Sequence, residues 1–371
     1  KIDTMRKKHF LFASVLALLC GSSTLHAQDF KLTSSGYFKN QGVDVMAFDD
    51  IYPEGHQGGV CIIMNGHRVA TNGDIRLEAT PGQWQPVPKQ LDRQLVDNSI
   101  TATLCYPDSS RHLTGFNPMI YPDLHLIYTV NVESKGKNIE VTVDLDRPIP
   151  QEFIGKVGFN LEFFPGSLFG KPWIMDGQSG IFPQQPNSPL MTTQPNYLHT
   201  GNYHDGKKSL ADMDKLIGKG YSPIVADDII SEPYAKGTKF TSRPDDPYNK
   251  VTIESLSGDL QLFDGRMNHN NGWFVLRSNI KPGVTKGAVK WIITPNVVAD
   301  WMYQPVIQTS QIGYHPTQDK EAVIEMDIRD NRKETAQIIR IDADGEKVVK
   351  NVTPANWGKF LRYNYLKVTF T

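Results

Sequence analysis

The chain has 371 residues, of which 39% are hydrophobic and 21% are charged, and its formal net charge is −1. The hydrophobic fraction excludes a disordered chain, and the balanced charge argues against a polyanion, such as a nucleic acid, bound through counterion release. The 30 glycines, the 24 prolines and an aromatic content of 10% favour a β-rich protein with many turns over a helical bundle.

The first residues have the pattern of an export signal. Basic residues at 6–8 precede an apolar run from Phe10 to Cys20, and Ala27 supplies a small residue before the expected cleavage. The run is shorter than the roughly 20 residues that cross a bilayer, which favours a signal peptide over a membrane anchor. Lipidation of Cys20 is the rival interpretation, although Leu19 is large for that motif. We therefore assign residues 1–27 to upstream residues and a signal peptide. We expect an exported, periplasmic or extracellular product without a membrane span.

Loss of this segment leaves two cysteines, Cys61 and Cys105. Export permits a disulfide between them. Both lie in apolar, strand-like runs, where two buried thiols are the equal alternative.

Alternation of apolar and polar residues predicts strands along most of the mature chain. Ile139–Asp146 and Val157–Phe163 alternate with a period of two, which is typical of half-buried strands. Because the strands follow one another without crossover helices, the pattern predicts antiparallel sheets. One helix is expected over 209–218, where Ser209 and Asp212 form a capping box. Further strands are predicted at Val60–Met64, Ile100–Tyr106, Leu126–Val132, Val251–Glu254, Trp273–Arg277 and Val289–Thr294.

The strand pattern divides the mature chain near Trp301–Gln308. Residues 28–305 are predicted to form a large antiparallel β-sandwich, and residues 306–371 an immunoglobulin-like sandwich. Strands of the second unit are predicted at Ala322–Asp327, Ala336–Ile341 and Tyr365–Phe370. Such a domain needs about 100 residues, more than follow Gln308, so we expect it to lack its last strands and the chain to be a fragment. An incomplete sandwich exposes an edge and an apolar face, which predicts that residues 306–371 are the less stable part.

The stretch from Pro165 to Asn249 is rich in proline, glycine and aromatic residues, and its strand signals are weak. Packed loops that cover the sandwich are one interpretation, and a surface on which sugar rings stack is the other. Trp173 and Tyr203 are the candidate stacking residues, and Asp176 is the candidate acceptor for a sugar hydroxyl. The flanking turn formers predict that Trp173 lies between turns rather than in a strand.

No motif assigns a catalytic residue. Candidate carboxylates outside the predicted strands are Asp176, Asp227, Asp228, Glu232, Asp245 and Asp264. Glycosidases need two carboxyls at a defined separation, which sequence alone does not supply. His199 and His204 with Asp205 do not fit a familiar zinc spacing, and no glycine-rich phosphate loop is present, so neither a metal nor a cofactor is predicted. The polar segments Asp264–Gly272 and Asp342–Gly345 are predicted to be turns.

The C-terminal segment resembles a known domain. Gln311-Ile-Gly-Tyr-His-Pro316, followed by Lys320 and Ala322, resembles the opening of the immunoglobulin-like domain that precedes the catalytic barrel in family 9 glycoside hydrolases, the cellulase-type inverting enzymes. Trp357–Phe370 is similar to a later part of that domain. Residues 29–305 resemble the extra N-terminal module of some exported family 9 proteins of gut Bacteroidetes, on the motifs Phe163–Asp176 and Gly180–Pro186. The resemblance implies a catalytic barrel in the same polypeptide beyond Thr371, and it maps no catalytic residue onto this chain.

Three functions are compatible with these features. The first is the non-catalytic N-terminal part of a secreted, polysaccharide-degrading hydrolase of the cellulase or β-glucanase type. The second is a carbohydrate-binding module, and the third is a β-sandwich glycosidase or lyase that acts on its own. The sequence favours the first, in which the parent protein hydrolyses O-glycosyl bonds. Its expected partner is a polysaccharide of the β-glucan or xyloglucan class.

Overall fold

A computed structural model describes residues 29–49, 58–78, 81, 88–108, 124–186, 190–191, 230–267 and 272–371. These residues form antiparallel strands and short 3₁₀ helices at Gln151–Phe153, Pro165–Ser167 and Gly265–Met267. The prediction of an all-β fold with large antiparallel sheets is confirmed. The expected signal segment and the helix expected over 209–218 lie outside the described residues.

The strands are numbered along the chain. Those before residue 300 are β1 (Lys31–Leu32), β2 (Phe38–Asn40), β3 (Val43–Ala47), β4 (Val60–Met64), β5 (His67–Leu77), β6 (Lys89–Val96), β7 (Ser99–Tyr106), β8 (Leu126–Lys135), β9 (Asn138–Leu145), β10 (Val157–Phe163), β11 (Pro172–Met175), β12 (Gln178–Ile181), β13 (Leu190–Met191), β14 (Ile230–Ser231), β15 (Ala235–Gly237), β16 (Lys239–Ser242), β17 (Val251–Ser255), β18 (Leu260–Asp264), β19 (Phe274–Asn279) and β20 (Val289–Pro295). Those after it are β21 (Val306–Gln308), β22 (Glu321–Asp327), β23 (Ala336–Asp342), β24 (Gly345–Val352), β25 (Ala355–Phe360) and β26 (Tyr363–Thr369).

Two nine-stranded sheets contain most of these strands. Sheet A has the order β1-β2-β3-β4-β5-β10-β19-β18-β15, and sheet B has the order β12-β11-β16-β17-β20-β9-β8-β7-β6. Strands β13 and β14 pair only with each other among the described residues. Because several neighbours in each sheet are distant in sequence, the chain returns repeatedly to the same sheet after forming strands of the other.

The two large sheets pack face to face around one apolar core. The alternating residues of β9 and β10 place Val141, Val143 and Phe159 in this core, where each is fully buried. Phe159 of sheet A meets Trp291 of sheet B edge to face, with 5.0 Å between ring centroids. The indole N–H of Trp291 donates to Ser278 Oγ at 3.0 Å, so the one polar group of this ring is satisfied inside the core.

The strands with the clearest alternation lie where the sequence predicts them. The run Ile139–Asp146 corresponds to β9, and Val157–Phe163 is β10. The stretch from Pro165 to Asn249 contains more regular structure than its weak signals indicated, because β11, β12, β15 and β16 join the edges of both large sheets. These strands have only three or four residues each, too few to show a period of two.

The C-terminal segment forms its own sheets. Sheet C has the order β21-β22-β26-β25, and β23 and β24 form a separate hairpin whose turn is Asp342–Gly345, as predicted. Of the predicted turn over Asp264–Gly272, residues 268–271 lie outside the described residues, and the strands on either side, β18 and β19, are antiparallel neighbours. Large apolar side chains are exposed in this segment, with exposed fractions of 74% for Ile341 and 67% for Phe360. The lower stability of residues 306–371 stays a prediction.

The two cysteines lie in different sheets. Cys61 is buried in β4 of sheet A, and Cys105 is half-buried in β7 of sheet B. The structure therefore has two thiols rather than a disulfide between these cysteines.

Candidate functional site

Trp173, the leading stacking candidate from the sequence, lies inside a strand. It is the second residue of β11, which begins at Pro172, and the first position of a strand tolerates proline. Its side chain is 6% exposed, and its ring stacks on Tyr234 with 6.1 Å between centroids. A Cβ added to Gly180 on the paired strand β12 would fall 2.4 Å from Cζ2 of the indole. The prediction that Trp173 lies between turns is therefore wrong, and the ring packs against protein rather than facing solvent.

Asp176 holds a turn together. It has a left-handed backbone (φ 44°) and precedes Gly177 (φ 86°), the Asp-Gly pair typical of a two-residue hairpin turn. Its Oδ2 accepts the N–H of Thr238 at 2.6 Å, and its Oδ1 accepts the N–H of Lys239 at 2.8 Å. The bond from Thr238, followed by that from Lys239, holds the pKa of Asp176 below its ordinary value. The carboxylate that we expected to accept a sugar hydroxyl therefore accepts backbone N–H groups from Thr238 and Lys239.

Replacement of Asp176 by alanine is expected to lower the free energy of unfolding by about 1 kcal/mol, because two backbone N–H groups lose a charged acceptor. Asp176→Asn keeps Oδ1 as an acceptor and should lose about half as much. Urea unfolding of the wild type and both variants measures the difference. Equal stability of all three proteins would contradict this role.

The structure describes only some of the other candidate residues from the sequence. Outside the described residues lie Tyr203, Asp227, Asp228, His199, His204 and Asp205. Glu232 is exposed. Asp245 forms an ion pair with Arg243 at 3.1 Å, and Asp264, which is fully buried, forms one with Arg266 at 2.8 Å. These two carboxylates are each bound to a neighbouring arginine rather than presented as an acid or base.

A cleft of about 330 Å³ lies where the edge of sheet A meets the C-terminal segment. We call it the junction cleft, and it is lined by side chains from β1–β3, from 301–303, from 327–329 and from 362–363. Its aromatic wall consists of Trp301, Tyr303 and Tyr363, all half-buried. The ring of Tyr303 lies 6.2 Å from that of Trp301 and 5.1 Å from that of Tyr363, measured between centroids. The volume is at the lower end of the roughly 300–1,000 Å³ typical of small-ligand pockets.

Two glycines allow the aromatic wall to approach sheet A. Gly42, between β2 and β3, has a φ of 66°, and a Cβ there would fall 2.6 Å from Cε3 of Trp301. Gly66, between β4 and β5, has a φ of 84°, and a Cβ there would fall 2.6 Å from Cε2 of Tyr303. The carbonyl of Trp301 accepts bonds from the side chains of Gln41 and Arg329. The segment at 301–303 is therefore fixed against the sandwich at the same turns that admit its rings.

Two ion pairs line the floor of the junction cleft. Arg362 Nη1 bonds Asp44 Oδ2 at 3.1 Å and links the turn between β25 and β26 to β3, while Arg329 Nε bonds Asp327 Oδ1 at 2.8 Å. Burial raises the pKa of Asp44, although Arg362 opposes the rise. Burial also acts to raise the pKa of Asp327, but hydrogen bonds led by that from the Arg329 side chain bring it below its ordinary value. Charged groups with assigned partners and half-buried rings thus share one cavity.

A second set of polar residues lies on one face of sheet A. We call it the sheet A polar cluster, and it comprises Asp74, Arg76, Glu78, Asn160, Glu162 and Arg277. Asn160 of β10 faces Asp74 of β5 on one side and Arg277 of β19 on the other. Each member is less than one-tenth exposed. The cluster therefore joins three central strands through charged and amide groups.

Two carboxyls of the cluster have a raised pKa. Glu78 Oε1 accepts bonds from Arg277 at 3.2 Å and from Asn160 at 2.5 Å. Burial raises the pKa of Glu78 to about 7, although Arg277 acts against the rise. Asp74 Oδ1 accepts the hydroxyl of Tyr128 at 2.8 Å, and burial raises its pKa to about 6. Both groups therefore change protonation near neutral pH.

Sequence reasoning missed both the junction cleft and the polar cluster. In the sequence, Trp301 and Tyr303 belong to the segment that separates the two predicted units, and nothing there indicated a cleft. The alternation of charged and apolar residues in Asp74-Ile-Arg-Leu-Glu78 was the one local signal for a strand with charges on its second face.

Comparison with known proteins gives little further information. No protein-family model matches the chain, and no curated protein matches it in sequence. A solved structure titled "Crystal Structure Analysis of HI1317" is similar over 72% of this chain and 99% of its own, with 8% identity and a TM-score of 0.29. A likeness this weak carries no argument about function. Within the described part of the chain, no helix has the length and apolar character needed to cross a membrane.

Proposed function

We propose that this chain is the non-catalytic, glycan-binding N-terminal part of a secreted polysaccharide-degrading hydrolase, and that the junction cleft is its glycan site. The observation that carries the proposal is the aromatic wall of Trp301, Tyr303 and Tyr363 facing polar side chains in one cavity. Aromatic rings pack on the apolar faces of sugar rings, and a few fixed polar groups orient the hydroxyls. The hydrolase itself, of the family 9 type, is proposed from the resemblance at Gln311–Pro316.

The location of the cleft suits an accessory role. It lies between the large sandwich and sheet C, the unit that the resemblance places next to a catalytic barrel. A glycan held there would lie beside sheet C and so close to the proposed barrel. We propose a polysaccharide of the β-glucan or xyloglucan class as the first ligand to test.

Replacement of Trp301 by alanine is expected to weaken glycan binding by about tenfold or more, since about 1.4 kcal/mol of lost stacking corresponds to that factor. Affinity electrophoresis of the full chain on soluble β-glucan and xyloglucan measures the change. Trp301→Phe keeps a ring in the wall and should retain most of the affinity.

A matched control is Trp357→Ala. Trp357 lies on β25 outside the cleft and is 61% exposed, so its loss should leave binding unchanged. Thermal unfolding of each variant shows whether the fold is retained. Equal loss of binding in both alanine variants, or no loss in either, would remove the junction cleft as the site.

A further inference from the structure

Two lysines at the rim of the junction cleft form a like-charge pair. Lys31 of β1 and Lys39 of β2 are direct register partners, so their side chains leave the sheet on the same face. Lys39 also faces Asp44 of β3 in register on its other side, and that carboxylate already pairs with Arg362, so one carboxylate serves two cations. Because β1 is the edge strand of sheet A, Lys31 faces only Lys39 in register, and like charges placed directly opposite one another destabilise a sheet.

The other charges of the cleft neutralise this pair only in part. Asp44 lies next to both Arg362 and Lys39, and Asp327 is paired with Arg329. The charged groups that line the cleft are four cations and three carboxylates, of which Asp29 is exposed. The cleft therefore has one positive charge in excess, with Lys31 and Lys39 side by side at the edge of sheet A.

We infer that the junction cleft takes an acidic glycan, one whose sugar ring carries a carboxylate, as in a uronic acid residue. This inference rests on the proposed function, which assigns the cleft to a glycan, and it replaces the neutral polysaccharide with a charged one. The ring packs on Trp301 and Tyr303, and the carboxylate lies between the ammonium groups of Lys31 and Lys39. An anion placed there converts a like-charge repulsion into two attractive contacts.

The test compares two forms of one polymer. Polygalacturonate and its fully methyl-esterified form share a backbone and differ in the carboxylate. At low ionic strength, the wild-type chain is expected to bind the acid form several-fold and up to about 25-fold more tightly, because each of two charge contacts at a partly exposed site contributes up to about a factor of five. The preference should fall as salt is added.

The variant is Lys31→Gln/Lys39→Gln, which should bind the acid and ester forms alike. Its matched control is Lys236→Gln/Lys347→Gln, which removes the same charge from exposed positions on β15 and β24 outside the cleft. The control should keep the wild-type preference. All four positions are at the surface or half-buried, so neither double variant should unfold at a lower temperature than the wild type.

The outcomes separate this inference from the proposed function. Equal wild-type binding of the two polymers, with both lost in Trp301→Ala, would overturn the acidic ligand and leave the glycan site standing. Failure of the wild type to bind any glycan would overturn the proposed function. Binding of dextran sulfate, compared with binding of dextran, tests sulfate esters as the anionic group. Tight binding of dextran sulfate that does not depend on Trp301 would show a non-specific charge effect and overturn the inference.

Discussion

Arg277→Met is expected to lower the free energy of unfolding by about 3–5 kcal/mol, the cost of breaking a buried ion pair on one side only. Arg277 is 1% exposed and ties together separate parts of sheet A. Its guanidinium bonds Glu78 Oε1 at 3.2 Å, the carbonyl of Lys156 at 3.0 Å and Asn279 Oδ1 at 2.7 Å. Methionine fills much of the same volume but leaves Glu78 buried without its cation. Chemical unfolding at pH 8, where Glu78 is ionised in the wild type, measures the loss.

The double variant Arg277→Met/Glu78→Leu is the control for this prediction. It removes both charges together, and well-packed apolar replacements of a buried pair are often neutral or stabilising. The double variant should therefore be more stable than Arg277→Met alone. A loss below about 1 kcal/mol in Arg277→Met would show that the pair does not hold the strands together.

Stability is expected to fall as pH rises from about 4.5 to about 7, because of Glu78. Burial raises its pKa in the folded chain to about 7, whereas the ordinary value is 4.5. Between these values the folded chain keeps a proton that the unfolded chain has released, so stability decreases with pH. The contribution is fully present below about pH 4.5 and lost above about pH 7, and its size is on the order of 3 kcal/mol. Asp74, whose pKa is raised to about 6, acts in the same direction.

Glu78→Gln isolates this effect from the other carboxyls. Glutamine accepts the bonds from Arg277 and Asn160 through Oε1 but does not titrate. The difference in unfolding free energy between the wild type and this variant, measured from pH 4 to pH 8, should change by the amount given above. A difference that stays constant over that range would contradict a buried, proton-binding Glu78.

The secondary structure was predictable because a strand's alternation is a local property. Ile139–Asp146 and Val157–Phe163 carry their period of two in consecutive residues, and both form strands close to where the sequence places them. The turn at Asp342–Gly345 was equally local. Trp173 shows the limit of this reasoning. A proline before it and a glycine after it indicated turns, but Pro172 opens a four-residue strand and the ring is buried by Tyr234.

By itself, the sequence determined that this protein is built of antiparallel strands, several of them with one apolar face, since periodicity and turn residues act over a few positions. The tertiary structure alone decided which strands pair and which side chains meet. Glu78 and Arg277 are 199 residues apart, and Asp44 and Arg362 are 318 apart, so no local pattern relates them. The junction cleft likewise combines β1–β3 with residues near 301, 328 and 362, which become neighbours only when sheet A and the C-terminal segment have folded. Charge pairing and cavity shape depend on these long-range contacts, and for that reason they appear only in the folded chain.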